Sequence, residues 1–118
     1  MARAVEYTYN IPTDLLCAVM LHESGGDLYA FGRNRNRTYD YGPMQLNSRY
    51  LDHFAELYNG GVSFDPYTYD SIRIAGKMLA EKKIRKKTWR KAIQSYNSRD
   101  KRYADKVFDA YVYMQGIR

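Results

Sequence analysis

Residues 11–26 read IPTDLLCAVMLHESGG, and this stretch carries the clearest secondary-structure signal of the chain. Proline at position 12 suits the first turn of a helix. Apolar side chains then recur at a spacing that places them on one helix face: Leu15, Leu16, Val19 and Met20. Two glycines at 25–26 are typical of a helix end. The stretch therefore predicts an amphipathic helix whose last turn contains residues 22–24.

Glu23 stands out because it continues the apolar stripe of this helix, three residues after Met20 and seven after Leu16. Apolar surroundings raise the pKa of a carboxyl group by desolvation. The negative end of the helix dipole disfavours a carboxylate in the same place. Both effects predict a carboxyl that stays protonated near neutral pH, as a general acid requires. The structural alternative is a salt bridge between Glu23 and an arginine of residues 33–37.

The rest of the chain indicates a mainly α (α+β) protein. Residues 27–47 are rich in glycine, asparagine, arginine and tyrosine without a helical period, which predicts a loop with a small β hairpin at 38–46. Helical patterns and capping residues predict four further helices: 48–58, 65–84, 88–95 and 103–116. Asp65 is the expected cap of the long helix, and Gly116 the expected terminator of the last one, in which Tyr103 occupies an apolar position. The expected buried stripe of the long helix consists of Ile72, Ala75, Gly76 and Leu79. A length of 118 residues favours one domain spanning 1–118.

Composition narrows the possible partners. No apolar run approaches the ~20 residues that a membrane-spanning helix needs, so no membrane insertion is expected. The net charge of +6 is compatible with nucleic acid, anionic lipid or an acidic polymer. No signature of a nucleic-acid-binding module accompanies it, and nucleic acid is not an expected partner. His22 and His53 lack partners at metal-ligand spacing, so neither a metal nor another cofactor is expected.

Three short motifs occur in this sequence in the same order as in a known protein family. Residues 21–26, LHESGG, resemble the Glu-Ser-Gly motif of lytic transglycosylases with the lysozyme-like fold. Residues 42–45, GPMQ, are similar to the Gly-Leu-Met-Gln motif of that family, and residues 95–97, SYN, are similar to its Ala-Tyr-Asn motif. The resemblance extends from Ile11 to Val107. The chain departs from the family pattern in having proline in place of leucine at position 43 and no glycine after the third motif.

This resemblance implies a role for each matching residue. Glu23 would be the catalytic acid and base, and Ser24 would make a hydrogen bond near it. Gln45 would contact the sugar at the cleavage point, Tyr96 would orient the Glu23 carboxyl, and Asn97 would shape the same wall. Amide and hydroxyl groups suit these tasks because they bind sugar hydroxyls.

A second resemblance concerns the predicted hairpin. Residues 38–50, TYDYGPMQLNSRY, are similar to the active-site hairpin of animal-type lysozymes. In that family the aspartate at the position of Asp40 is a nucleophile or a charge stabiliser. Asn47 belongs to the same run and is expected to bind substrate. The structural alternative for Asp40 is an Asx turn that closes the hairpin.

Together the two resemblances imply a lysozyme-like fold with a small β hairpin beside the active-site cleft. They also imply a peptidoglycan lytic transglycosylase that cleaves the β-1,4 bond between N-acetylmuramic acid and N-acetylglucosamine. One alternative is a lysozyme-type hydrolase that uses Glu23 and Asp40. The other is a peptidoglycan-binding assembly protein without activity, against which the joint presence of Glu23, Gln45 and Tyr96 argues.

The expected partners are peptidoglycan glycan strands. Family analogy adds components of a secretion, conjugation or phage apparatus. Because residues 1–7 show no hydrophobic leader, we expect a periplasmic or cell-wall-associated protein in a form lacking its leader peptide. This location is preferred over a phage virion.

Residues 81–91, EKKIRKKTWRK, form the densest basic stretch. One interpretation is a solvated helix end, since cations near the carboxyl terminus of a helix are favoured by its dipole. The other interpretation is attraction to the carboxylates of peptidoglycan peptide stems. The sequence leaves both open.

Overall fold

Helix α1, Thr13–Ser24, is formed by the apolar stretch in the computed structural model, which describes residues 11–117. The carbonyl of Pro12 accepts hydrogen bonds from the amides of Leu15 and Leu16, both at 3.1 Å, as expected for a helix start. The helix ends where Gly25 adopts a left-handed conformation with φ of 66°, which is typical of glycine. Residues 1–7, for which no leader is expected, lie outside the described residues.

Three short antiparallel strands follow α1 in the spatial order β1-β2-β3: β1 Phe31–Arg33, β2 Tyr39–Tyr41 and β3 Leu46–Asn47. Asp40 on β2 lies opposite Gly32 on β1 and opposite Asn47 on β3. The predicted hairpin is therefore present as β2 and β3. Strand β1 is an addition to the prediction, because three residues are too few to show an alternating pattern in the sequence.

The two faces of this sheet differ in chemistry. Successive side chains on a strand point to opposite faces, so Tyr39 and Tyr41 lie on the face away from Asp40. The Phe31 ring stacks against both tyrosines, with centroid distances of 5.5 Å and 5.8 Å. Such cross-strand pairs contribute roughly 0.2–1 kcal/mol each to a sheet. The aromatic face therefore helps to stabilise the sheet, and the opposite face presents the carboxyl group.

Gly42 fixes where the hairpin packs. It has φ of 78°, and a Cβ at this position would lie 1.8 Å from the carbonyl oxygen of Pro66. Any residue other than glycine would force the two segments apart. The close backbone contact holds the turn after β2 against the segment that precedes the long helix.

Within residues 11–117, four further α-helices follow the sheet: α2 Leu51–Tyr58, α3 Tyr69–Lys86, α4 Trp89–Gln94 and α5 Tyr103–Ile117. A 3₁₀ turn, Ser48–Tyr50, precedes α2, and another, Ser95–Asn97, follows α4. These elements confirm the predicted mainly α class with a small β hairpin. None of the described helices combines the length and the apolar character that crossing a membrane requires.

Two predicted helix boundaries are wrong. Helix α3 begins at Tyr69 with Thr68 as its N-cap. Asp65 instead closes the preceding turn, with hydrogen bonds from the amides of Tyr67 at 2.9 Å and Thr68 at 3.2 Å. Gly116, the predicted terminator, lies within α5. Both errors concern helix ends, where local hydrogen bonds compete with helix continuation.

The core lies between the helices. The predicted stripe of α3 is buried as expected: Ile72, Ala75, Gly76 and Leu79. Helix α1 packs mainly on α5, and α3 packs mainly on α4. Because α1 is anchored along α5, its carboxyl-terminal turn is held at a fixed place beside the sheet.

Candidate active site

One cleft brings together most of the predicted site residues. Its volume is about 850 Å³, and it is lined by residues of the α1 end, the sheet, α2, α3 and the turn Ser95–Asn97. Six predicted residues line it: Glu23, Asp40, Gln45, Asn47, Tyr96 and Asn97. Segments far apart in the chain thus form one concave surface, as expected for a binding site.

Glu23 lies on the apolar side of the cleft, in the last turn of α1. Burial removes water from its carboxyl group and is the main reason that its pKa is raised from 4.5 to about 7. The hydroxyl of Tyr103 acts in the opposite direction, and the charge of Asp40 adds a smaller increase. A carboxyl with this pKa is protonated in a substantial fraction of molecules at neutral pH, which suits a general acid.

Tyr103 lies beside Glu23, although the sequence predicts it only as an apolar residue of the last helix. It is fully buried, and its hydroxyl faces Glu23. Within residues 11–117 the hydroxyl has no partner in standard hydrogen-bonding geometry. Its interaction with the carboxyl nevertheless lowers the Glu23 pKa. The Tyr103 hydroxyl therefore lies close enough to the Glu23 carboxyl to influence its ionisation.

Tyr96 is predicted to orient the Glu23 carboxyl. In the structure its hydroxyl donates a hydrogen bond to the carbonyl oxygen of Met44 at 2.6 Å. Its ring stacks on Tyr103 with a centroid distance of 6.3 Å. Burial, and then the charge of Glu23, raise the pKa of Tyr96 well above its usual value. Tyr96 therefore lies near the acid while it fixes the turn between β2 and β3.

Asp40 lies on the polar side of the cleft. Its two carboxylate oxygens accept hydrogen bonds from the side-chain amides of Asn34, at 3.1 Å, and Asn47, at 3.0 Å. Both amides also donate to the hydroxyl of Thr38, at 3.1 Å and 3.0 Å. The predicted Asx-turn alternative is not what the structure shows, because the carboxylate bonds side chains of the neighbouring strand and loop. Asn47, predicted to bind substrate, positions Asp40.

Gln45 lies in the turn between β2 and β3, after Asp40 in the chain, and has a strained backbone. Its φ of 52° places a residue other than glycine in the left-handed region, a conformation that is often found at functional sites. Its side-chain amide donates to the carbonyl of Gly42 at 3.0 Å. Its Oε1 would lie 3.2 Å from a Cβ at Gly32, so the absence of a side chain there makes room for the carboxamide.

Ser24 and Asn97 occupy unlike positions. The Ser24 hydroxyl donates to the carbonyl of Met20 at 3.2 Å and accepts from the amide of Gly26 at 3.1 Å. Ser24 therefore stabilises the end of α1 and is not among the residues that line the cleft. Asn97 is exposed on the cleft wall, where its side chain is accessible to a ligand.

The two histidines have aromatic neighbours. His22 contacts Tyr103 edge-on, with a centroid distance of 5.2 Å, and His53 lies 6.3 Å from the ring of Phe54. In the part of the chain that the structure describes, no group of three or more His, Cys, Asp and Glu side chains is arranged to hold a metal ion.

A domain family and individual proteins with known sequences are similar to this chain over most of its length. The sequence model of the transglycosylase SLT domain matches residues 1–111. Invasion protein IagB of Salmonella typhimurium (strain LT2) is 31% identical over 124 residues, which cover 95% of this chain and 75% of the relative. Protein IpgF of Shigella sonnei is 31% identical over 90 residues, which cover 76% of this chain and 59% of the relative.

Proposed function

Because the chain belongs to the transglycosylase SLT domain family, we propose that it cleaves peptidoglycan glycan strands with Glu23 as the acid and base. Family membership makes it a peptidoglycan lytic transglycosylase with a lysozyme-like fold, acting outside the cytoplasm where peptidoglycan lies. The observation that carries the choice of acid is the Glu23 carboxyl, which lines the cleft and has a pKa raised to about 7 by burial.

In the first step, protonated Glu23 donates its proton to the oxygen that links N-acetylmuramic acid to N-acetylglucosamine. The bond from that oxygen to the anomeric carbon breaks, and positive oxocarbenium character develops on the muramic ring. The leaving sugar departs with the proton as a free 4-hydroxyl. Glu23 is left as a carboxylate.

In the second step, the Glu23 carboxylate accepts the proton of the 6-hydroxyl on the same muramic residue. The 6-oxygen then forms a bond to the anomeric carbon and closes a 1,6-anhydro ring. Glu23 recovers its proton, and no water is consumed. A single group that cycles between acid and base is suited to this reaction when its pKa lies near the operating pH.

Asp40 has the position of a charge stabiliser in this scheme. It lines the same cleft, and its charge influences the pKa of Glu23. A carboxylate held by two amide donors can face a developing positive charge without moving. The side-chain amides of Gln45 and Asn97 would bind sugar hydroxyls along the wall.

The test is product analysis of digested sacculi by mass spectrometry. We expect 1,6-anhydromuramyl ends, which lack the mass of one water relative to hydrolysed ends. Residues 1–118 expressed alone should be active, since we propose that they form one catalytic domain. Loss of all products in Glu23→Gln with an unchanged fold supports the assigned acid, and retained activity overturns it.

A lysozyme-type hydrolase is the second candidate, favoured by the presence of Asp40 with Glu23 in one cleft. In that reaction water replaces the 6-hydroxyl as acceptor, and Asp40 becomes indispensable. Reducing ends as the main product would support it. A non-catalytic assembly protein would give neither product and no clearing zone in a gel that contains sacculi.

We further propose a periplasmic or cell-wall location and a role in opening gaps for a secretion or conjugation apparatus. The name of one relative, invasion protein IagB, is compatible with such a role. Deletion of the gene in its native bacterium should reduce secretion or transfer, and the Glu23→Gln gene should fail to restore it. Restoration by the inactive gene would contradict a role that depends on glycan cleavage.

A further inference from the structure

The cleft that contains Glu23 is also lined by cations. Helix α3 contributes Met78, Lys82 and Arg85, which lie on one helix face at intervals of four and three residues. Arg99, from the turn before α5, lines the same cleft. We call Lys82, Arg85 and Arg99 the cationic end of the cleft.

The acidic groups at this end are already engaged. The carboxylate of Glu81 interacts with the hydroxyl of Tyr58, and this contact contributes to a raised Tyr58 pKa. Asp100 forms an ion pair with Lys106 at 2.7 Å. Asp100 is therefore paired with a cation, whereas Glu81 accepts from a neutral phenol and keeps its charge.

The two arginines lack such partners. Within residues 11–117, neither Arg85 nor Arg99 has a carboxylate oxygen within 4.0 Å. Both are exposed at the cleft. A guanidinium group offers a planar fork of donors that matches a carboxylate in a bidentate manner.

Lys82 shows that positive charge accumulates here. Its amine donates to the carbonyl of Ser95 at 3.3 Å. Burial lowers its pKa, and the charges of Arg85 and Lys86 lower it further. An anion at this end would relieve the repulsion among the cations and compensate the partly buried amine.

We propose that the cationic end binds a carboxylate of the peptide stem carried by a muramyl residue of the bound glycan strand. This proposal rests on the proposed function, because it assigns a part of the same substrate to the same cleft. Peptide stems project from every muramyl residue and carry free carboxylates. A strand that reaches Glu23 therefore brings such carboxylates into the region of Arg85 and Lys82.

The remaining cations of the basic stretch do not belong to this site. Lys83 lies over the Trp89 ring, 5.9 Å from its centroid. Lys86 and Lys91 line an adjoining depression that shares Ser95 and Ser98 with the cleft, and neither lysine lines the cleft itself. Lys87 is exposed at the carboxyl-terminal cap of α3 and does not line the cleft. Lys87→Gln is consequently a matched control, since it removes one positive charge from the same helix outside the cleft.

The experiment measures equilibrium binding of defined glycan oligomers, with and without peptide stems, to Glu23→Gln protein, so that no cleavage occurs. Arg85→Gln should weaken binding of stem-bearing oligomers by about tenfold, the factor for a charged hydrogen bond worth ~1.5 kcal/mol. It should leave binding of stem-free oligomers unchanged. Lys87→Gln should change neither affinity by more than about twofold.

Three outcomes decide the proposal. Equal weakening for both oligomers would show that Arg85 contacts the glycan or its free lactyl carboxylate, and would overturn the assignment to the stem. No weakening for either oligomer would overturn it as well. Arg85→Lys, which keeps the charge but loses the fork, should retain part of the stem-dependent affinity and excludes a folding defect as the cause.

This experiment is separable from the test of the proposed function. Binding is measured without chemistry, so a wrong assignment of the catalytic acid would leave the stem-dependent difference intact. Conversely, the enzyme could produce anhydro ends with equal affinity for both oligomers. That second result would preserve the proposed reaction and reject only the cationic end as a stem-binding site.

Discussion

Glu23 and Asp40 carry the same chemical group into one cleft, but the parts of the molecule that hold them differ. Glu23 lies at the end of α1, which packs on α5, and burial dominates its environment. Asp40 lies on β2, where two side-chain amides satisfy both of its oxygens. Helix packing thus supplies an apolar side, and the small sheet supplies a polar side.

Two carboxyl groups in one small domain can thus differ in which protonation state their surroundings favour. A carboxyl group that loses water without gaining strong donors favours its protonated form. A carboxylate that accepts from amide N–H groups keeps its acceptor oxygens fixed and stabilised. Such a difference in environment would separate a proton donor from a charge stabiliser in the proposed reaction, as the paired carboxylates of glycoside hydrolases illustrate.

The largest expected effect comes from removing the acid. Glu23→Gln should lower the rate of sacculus clearing by at least about 10²-fold, since general acid catalysis typically contributes 10²–10⁴-fold. Turbidity assays measure this loss, and circular dichroism checks the fold. A residual rate above about a tenth of the original would show that Glu23 is not the general acid.

The stability of the Glu23→Gln variant tests whether burial favours the protonated form of Glu23. The pKa of Glu23 is about 7 in the folded protein, against an ordinary value of 4.5. The contribution of Glu23 to the free energy of unfolding is therefore fully present below pH 4.5 and is lost as the pH rises through 7. Glu23→Gln should therefore be more stable than the original above pH 7, by at most about 3 kcal/mol. The difference should vanish below pH 4.5. Thermal or urea unfolding across this window measures it.

The second effect concerns the polar side. Asp40→Asn should lower activity by about 10- to 100-fold, less than the loss in Glu23→Gln, because it removes a stabilising charge and keeps the acid. The products should still carry anhydro ends by mass spectrometry. Nearly normal activity would reduce Asp40 to a structural residue of the hairpin. Complete loss, with reducing ends as the main product of the original protein, would favour the hydrolase.

A smaller effect is expected for the amides that hold Asp40. Asn47→Ala removes the donor at 3.0 Å and should lower activity about three- to tenfold, the range for one ordinary hydrogen bond, because Asn34 still holds the other carboxylate oxygen. The loss should shrink in the Asp40→Asn background, because the two residues act through one contact. An unchanged loss in that background would mean that Asn47 binds sugar directly, as the sequence predicts.

The smallest effect distinguishes the two tyrosines beside Glu23. Activity that requires protonated Glu23 should fall as pH rises through about 7. Tyr103→Phe removes the hydroxyl that lowers this pKa and should move the fall to higher pH, with a rate change below about fivefold. Tyr96→Phe should leave its position unchanged, because that hydroxyl bonds Met44. A shift in Tyr96→Phe, with none in Tyr103→Phe, would support the predicted role of Tyr96.

Much of the architecture follows from local patterns in the sequence. The spacing of apolar residues places Glu23 at the end of α1 in line with the buried stripe, and the α3 stripe is buried as predicted. The hairpin is recognised because its turn residues and its motif are contiguous. Helix boundaries are less well predicted, as Asp65 and Gly116 show, because competing turn hydrogen bonds decide them.

The sequence is sufficient to show which side chains share a helix face or a hairpin, since those relations depend only on backbone periodicity. It also determined the family, through short motifs that retain their order. Only the packing of the helices decides that the Tyr103 hydroxyl interacts with the Glu23 carboxyl and that Tyr96 reaches Met44 across 52 residues of chain. It also placed Arg85 at the cleft and Lys87 outside it. Contacts between distant segments depend on how the helices pack, and periodicity carries no information about that packing.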